Sequence, residues 1–521
     1  MSANRQIARA AGTVMLAFVF GQLAGLARNI LVARAFGASA ELDAFFAANR
    51  VSETLFNLIA GGALGSAFIP TFTAFLAKDD KRNAWKLASA VANLVVLILG
   101  ALAALAAVFA PQIVRHLLAP GFSADPAQFA LTVSLLRIQL VSAALFGVSG
   151  LVMGILNSHQ VFLIPALAPS MYQFGMIFGV LVLAPRYGIH GLAYGVVIGA
   201  AAHLLLQVPA LLRRKGTYTP TLGWKDRAVG EVLRLMGPRL LGVAVVQVNF
   251  WVNTWLASSM AEGSISAISY GFALMLMAQA VIAQSIATAA MPTFSAQYAL
   301  GKLDEIRASL AAALRGVLLL SLPAAAGLML LRAPIITLLY DFDASDTQLV
   351  AWALLWYAAG LVGHSLLEIL ARTFYAMHNT KTPVLVGAAA MGLNVVFSFT
   401  FPAWFARIGW LPLGGLALAN SLATAIEAAI LFLLMHKRLD GIRGAQVAKG
   451  LAAAALGTAG LCAALVLWMQ AERSAPAALT ALGGIVIGGA AYALILLLLR
   501  ITEVKSLLGF VNRRLNKRSP R

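Results

Sequence analysis

Apolar residues in this chain neither alternate like a strand nor recur on one face like a surface helix; they run on, and short basic or glycine–proline stretches interrupt them. Residues 382–406, for example, hold no Asp, Glu, Lys or Arg. Apolar segments long enough for a ~30 Å hydrocarbon core fall near residues 10–33, 43–76, 87–110, 130–156, 161–184 and 191–212. After a basic linker with Pro220, Lys225 and Arg227 they resume at 236–260, 265–292, 309–331, 347–377, 383–406, 412–435, 447–469 and 477–500. The pattern predicts an all-α integral membrane protein of about 14 spans. Several segments exceed the minimum, so tilted or bent helices are expected.

The loops orient these spans. With an even number, both termini lie on one side, which receives Arg5, Arg9, Lys78 to Lys86, Arg213 to Arg234, Lys302, Arg307, Lys381, Lys437 to Lys449 and the basic tail Arg513–Arg521. The other side receives Glu41, Asp125, Glu262, Asp341, Asp343, Asp346 and Glu472, with few bases such as Arg186, Arg407 and Arg473. Basic loops mark the cytoplasmic side, so both termini are expected there. Arg28 well inside the first segment marks a retained helix rather than a cleaved signal.

Composition changes the picture in two ways. At 521 residues, 61% apolar and 11% charged, the chain is far more apolar than soluble domains. Its net charge of +19 sits beside apolar runs without interleaved aromatic platforms, a positive-inside pattern that argues against nucleic acid. The single cysteine, Cys462, precludes an intrachain disulfide and reads as a small core residue. The seven histidines show no metal-ligand spacing, and no phosphate-binding glycine loop is present. Neither an enzyme nor ATP-driven transport is expected, and no cofactor is implied.

Two joints suggest a doubled architecture: Gly154-Ile155-Leu156-Asn157 followed by Phe162 and Pro165-Ala166, and Phe374-Tyr375-Ala376 with Asn379 followed by Thr382-Pro383. Each places a proline at the opening of the next helix. Paired bundles of this kind recur among transporters. The implied division is a six-helix lobe over 1–215, a basic linker over 216–235, a second six-helix lobe over 236–440, and two further helices with a basic tail over 441–521.

Ionisable groups inside apolar segments each cost at least ~2.5 kcal/mol, so each needs a reason. Arg28 lies on the first helix; Arg50 and Glu53 share a face of the second. They read either as a cationic substrate site, with arginine forks suited to phosphate, or as a static Arg50–Glu53 pair. Asp43 opens the second helix and either caps it or gates. Glu427 is a lone acid in the twelfth span and a proton or cation candidate. Asn249 and Asn253 share a face, suited to interhelical hydrogen bonds or to ions. Glu368 and Arg372 are spaced for a helical ion pair. Arg34 is expected to snorkel, and Arg137 to face either a cavity or headgroups.

Motifs along nearly the whole chain resemble the MurJ/MviN family of lipid-linked cell-wall precursor flippases. They include Arg28 with Ile30-Leu31-Val32-Ala33-Arg34 and Phe36-Gly37, Asp43-Ala44-Phe45-Phe46, Gly62-Ala63, and Ala67-Phe68-Ile69-Pro70. Pro120-Gly121-Phe122, Met236-Gly237-Pro238, the two joints above, and Gly415-Leu416-Ala417 with Asn420-Ser421 continue the match. The resemblance implies two six-helix lobes in a V plus two C-terminal helices, in the bacterial inner membrane. It also implies a lipid-linked saccharide substrate, surrounding membrane lipids, cell-wall synthesis partners, and a coupling cation or the membrane potential as the source of direction. The sequence departs from the family pattern at Gln22, Phe56-Asn57, Ala60-Gly61-Gly62, Gly271-Phe272-Ala273 and Asn379, where charged residues are usual. Two rival readings follow: a flippase for another lipid-linked oligosaccharide or a cation-coupled exporter, and a non-transporting scaffold.

Overall fold

Hydrocarbon supplies no partner for a backbone N–H or C=O, so a spanning segment must satisfy its own. The computed structural model describes residues 3–59, 63–472 and 475–500, and its regular elements are all helical. The Ala60-Gly61-Gly62 run, Arg473 and the basic tail lie outside the described residues, as do the side chains of Arg5, Arg9, Phe56 and Pro238. Among the described residues, 10 helices are long and apolar enough to span, or 12 if each of two bent pairs counts as one. The two expected spans outside that count are 10–33, on α1, and 43–76, which crosses residues 60–62.

Packing divides the chain into two compact units, 1–266 and 267–521. The first contains α1 (Ala3–Phe36), α2 (Ala40–Ile59), α3 (Ala63–Ala77), α4 (Lys81–Val108), α5 (Pro126–Ser158), α6 (Leu163–Tyr187), α7 (Ile189–Leu212) and α8 (Arg227–Ala257). An elbow over 109–124 joins α4 to α5 through a π turn and a 3-10 turn. The second unit begins within α9 (Ser264–Ala299). It continues with α10 (Leu303–Leu330), α11 (Arg332–Tyr340), α12 (Ala344–Ala359), α13 (Leu361–Ala376), α14 (Lys381–Arg407), α15 (Leu413–Arg438), α16 (Gly444–Ala471) and α17 (Ala477–Leu498).

The expected linker, 216–235, is shorter in the structure. Asp226 accepts from the Ala228 N–H at 3.0 Å and caps α8, so residues from Arg227 onward are helical. Residues 213–226 are docked rather than free: Asn93 donates to Thr221 O at 2.8 Å, Tyr218 donates to Asn93 at 2.8 Å, and Thr219 N–H to Ser89 at 3.1 Å. Helix α8 packs on α2 and α3, so the packing boundary falls after it rather than in the linker.

The two units repeat their joints. Helices α4 and α10 are preceded by Asp80 and Lys302 with the same backbone angles (φ −85°, ψ 67°). They end at Phe109 and Leu331, which also match closely (φ −87°, ψ 14° and φ −89°, ψ 11°). The α5–α6 and α13–α14 joints each place a left-handed residue, Gln160 or His378, after the helix. The next N–H then reaches back: Val161 to Leu156 O and Asn379 to Phe374 O, both at 2.9 Å. This satisfies carbonyls that a helix end leaves orphaned.

The expected span 347–377 is two helices, α12 and α13, bent by 43° at Gly360. A Cβ there would lie 2.3 Å from Ser421 Oγ, and that serine donates to Trp356 O at 2.7 Å. Glycine and a hydroxyl therefore absorb the break. Helices α6 and α7 meet backbone to backbone, with a Cβ on Gly175 falling 2.2 Å from Gly199 Cα. Small residues permit such approach in membranes. Gly175→Val is expected to separate the two helices at a cost of about 1–3 kcal/mol; a lower unfolding midpoint in detergent, with Gly100→Ala unchanged as the control beside open space, is the measurement.

Candidate functional site

Helix α2 carries an amphipathic stripe into the first unit. Arg50 Nη1 pairs with Glu53 Oε2 at 3.0 Å, and Asn49 donates to Glu53 Oε1 at 2.9 Å. The side chains are 18% and 43% exposed, so the pair is reachable rather than sealed. The Arg50 guanidinium lies over the Phe250 ring at 5.1 Å, a cation–π contact from α8. Thr54 donates to Arg50 O at 2.7 Å and accepts from Trp251 Nε1 at 2.8 Å, fixing α2 to α8.

Arg28 on α1 reaches Asn29 Oδ1 at 2.6 Å and Met176 Sδ at 3.5 Å. Tyr172 on α6 bonds Asn49 and lies close enough to both Arg28 and Glu53 to feel their charges, so the two arginines belong to one polar zone. The Nε atoms of Arg28 and Arg50 are buried and donate to no protein acceptor. Two guanidinium groups and one carboxylate leave this zone net cationic, with donor hydrogens to offer.

Asp43 acts away from its own helix. The expectation that it caps α2 is corrected: 2% exposed, it accepts from Gly263 N–H at 2.9 Å, Ser266 N–H at 2.7 Å and Ser266 Oγ at 2.6 Å. These are orphan donors at the opening of α9, where a carboxylate meets the positive end of the helix dipole. Gly263 is left-handed (φ 81°), and a Cβ on it would fall 2.1 Å from Ala38 O. Glu262 accepts from Ala40 N–H at 2.9 Å, so a second carboxylate ties the same loop to the start of α2.

The remaining candidates are dispersed. Asn253 donates to Asn249 at 3.3 Å on α8, both side chains being buried, and Asn249 Nδ2 has no protein acceptor. In the second unit, Glu427 is 7% exposed with its Oε1 facing Gly387, where a Cβ would come within 3.0 Å. Tyr375 lies within the field of both Glu427 and Glu368. Glu368 holds Arg372 at 2.6 Å, and Arg372 also donates to Thr288 at 2.6 Å. Asn379 accepts from Thr382 N–H at 3.1 Å and donates to Thr382 Oγ1 at 2.9 Å, a capping turn at the opening of α14. Among the described residues no group of three or more His, Cys, Asp or Glu is placed to hold a metal.

Several site residues were not singled out from the sequence. Asn49 was legible, standing four residues before Glu53 on the same face. Tyr172, Met176, Phe250 and Ser266 carry no local signal, because only folding brings them to α1 and α2.

These features define a multi-pass α-helical membrane protein whose fold is shared with solved transporters. A solved MATE-family multidrug transporter in an inward-facing conformation superposes with a TM-score of 0.67 at 17% identity, covering 81% of this chain and 96% of that one. The chain belongs to the lipid II flippase MurJ family, whose model matches residues 32–482. A Vibrio cholerae protein named as a probable lipid II flippase MurJ is 31% identical over 515 residues, covering 94% of this chain and 95% of that one. The Burkholderia cenocepacia lipid II flippase MurJ is 30% identical over 441 residues, with 82% and 84% covered. A solved lipid II flippase MurJ in an inward closed conformation has a TM-score of 0.78 at 25% identity, covering 92% and 97%.

Asp43→Ala is expected to strand three donors at the α9 opening and cost about 1–3 kcal/mol. The unfolding midpoint in detergent should fall, while Glu41→Ala, exposed on the neighbouring turn, should leave it unchanged.

Proposed function

We propose that this protein moves lipid II, a polyprenyl-diphosphate-linked saccharide, from the inner to the outer leaflet of the bacterial cytoplasmic membrane by alternating access. The carrying observation is the paired zone of Arg28 and Arg50, each with a buried Nε that donates to no protein group. A diphosphate takes guanidinium donors bidentately and brings the negative charge that this zone lacks. Glu53 neutralises Arg50 at 3.0 Å until an anionic headgroup competes for it. Where the family pattern is usually charged, Gln22 and Asn57 are neutral, so in this chain phosphate recognition rests on fewer cations.

The basic loops and both termini face the cytoplasm in this reading, following the positive-inside distribution. The membrane potential or a counter-ion supplies direction, since moving one charge is worth ~2.3 kcal/mol per 100 mV. Glu427, an acid within α15, is the coupling group on this view. Cell-wall synthesis proteins are the expected neighbours, as consumers of the translocated precursor.

Complementation of a conditional lipid II flippase knockout tests the reading. Wild type should restore growth, and Arg28→Ala and Arg50→Ala should each fail at matched membrane expression. Rescue by the double alanine variant, or no rescue by well-inserted wild type, would overturn it. Glu427→Gln should slow lipid II turnover in proteoliposomes about tenfold or more, the scale of one lost ionic interaction, while leaving substrate retention unchanged; equal turnover would remove Glu427 from the coupling role.

A further inference from the structure

Helix α4 starts at Lys81, beside the basic loop 78–86, and its 28 residues rise ~42 Å. Its far end therefore lies at the opposite membrane surface, where the elbow 109–124 turns the chain into α5. A cavity of 430 Å³ opens there, lined by Pro111, Phe129, Val133, Ser134, Arg137 and Ile138. Phe129, Val133 and Arg137 recur every four residues and form one stripe of α5.

The arginine is held in place by a defect in the helix. Pro111 has no N–H, so Ala107 O, four residues earlier, lacks its usual helical donor. Arg137 Nε supplies one at 3.0 Å, which anchors the guanidinium over the cavity and leaves its terminal nitrogens unspent. Arg115 stacks on the Phe129 ring at 5.2 Å, bringing a second guanidinium to the same cavity wall. Among the described residues neither arginine is in an ion pair. The nearby acid, Asp125, is committed to the α5 N-cap, accepting from Ala127 N–H at 2.8 Å. Beside the charges lies an apolar surface: Leu105, Val108 and Val141 are exposed.

The second unit shows what this arrangement is not. Its repeat-related cavity, 640 Å³ beside α11 and α12, is lined by Arg332 but also by Asp343. One arginine and one aspartate line it, so the balance of charge there is neutral rather than cationic.

We propose that the elbow cavity of the first unit is a headgroup site for an anionic phospholipid of the leaflet opposite the basic loops. Arg115 and Arg137 take the phosphate, and the acyl chains lie along Val141, Leu105 and Val108. Guanidinium forks match phosphate oxygens, and exposed apolar side chains beside them fit a diacyl lipid rather than free phosphate. A polyprenyl diphosphate shares the phosphate chemistry, and the test separates the two.

Native mass spectrometry of the full-length protein with phosphatidylglycerol, phosphatidylcholine or a polyprenyl diphosphate reads the site directly. Wild type should retain phosphatidylglycerol in preference to phosphatidylcholine. Arg115→Ala/Arg137→Ala should bind phosphatidylglycerol about tenfold more weakly, a change of about 1.4 kcal/mol. Arg115→Lys/Arg137→Lys, which keeps both charges and guards against misfolding, should lose about threefold or less. Arg332→Ala should bind as wild type does. Equal retention by the double alanine variant, no preference over phosphatidylcholine, or displacement of phosphatidylglycerol by equimolar polyprenyl diphosphate would overturn the proposal.

Discussion

A charged side chain in hydrocarbon must find a partner within the protein, and much of this structure is arranged around that requirement. Arg50 meets Glu53 and the Phe250 ring; Arg372 meets Glu368 and Thr288; Asp43 meets the donors that open α9. Each solution ties one helix to another, so the groups that are most expensive to insert also fix the packing. The Arg50–Glu53 pair differs from the others in leaving a buried donor unspent, the Nε of Arg50. That surplus is the feature on which the proposed headgroup role rests.

The backbone poses the same demand at every helix end, and the two units answer it in the same way. A left-handed residue after the helix turns the next N–H back onto an orphan carbonyl at Leu156 and Phe374. Helices α4 and α10 likewise break at residues of nearly identical backbone angles before a proline-bearing turn. In the first unit that break exposes Ala107 O to Arg137, whereas in the second α11 continues as a regular helix. One repeated joint has thus been put to two chemical uses.

Membership in the MurJ family joins this architecture to lipid-linked substrates. With Gln22 and Asn57 neutral, Arg28 and Arg50 carry the cationic character of the first unit's polar zone. Asn49, Tyr172 and Phe250 position these two arginines from three different helices. The zone is therefore sparse in charge but closely supported.

The sequence by itself determined that the chain is helical and membrane-spanning, because hydrocarbon admits few backbone solutions and the apolar runs are long. It also determined the pairs within one helix, Arg50 with Glu53 and Glu368 with Arg372, since three- and four-residue spacing is a local property. The tertiary structure decided everything that depends on contact between helices. Asp43 looked like a cap for α2 and proved to cap α9, because Gly263 and Ser266 lie more than two hundred residues away in sequence. The break at Gly360 was invisible as such, since a glycine in an apolar run reads equally as packing; the Ser421 hydroxyl pressed against it decides the matter. Hydropathy fixes which segments enter the bilayer, and only packing fixes which faces meet there, because lipid and protein interior are equally apolar to a leucine.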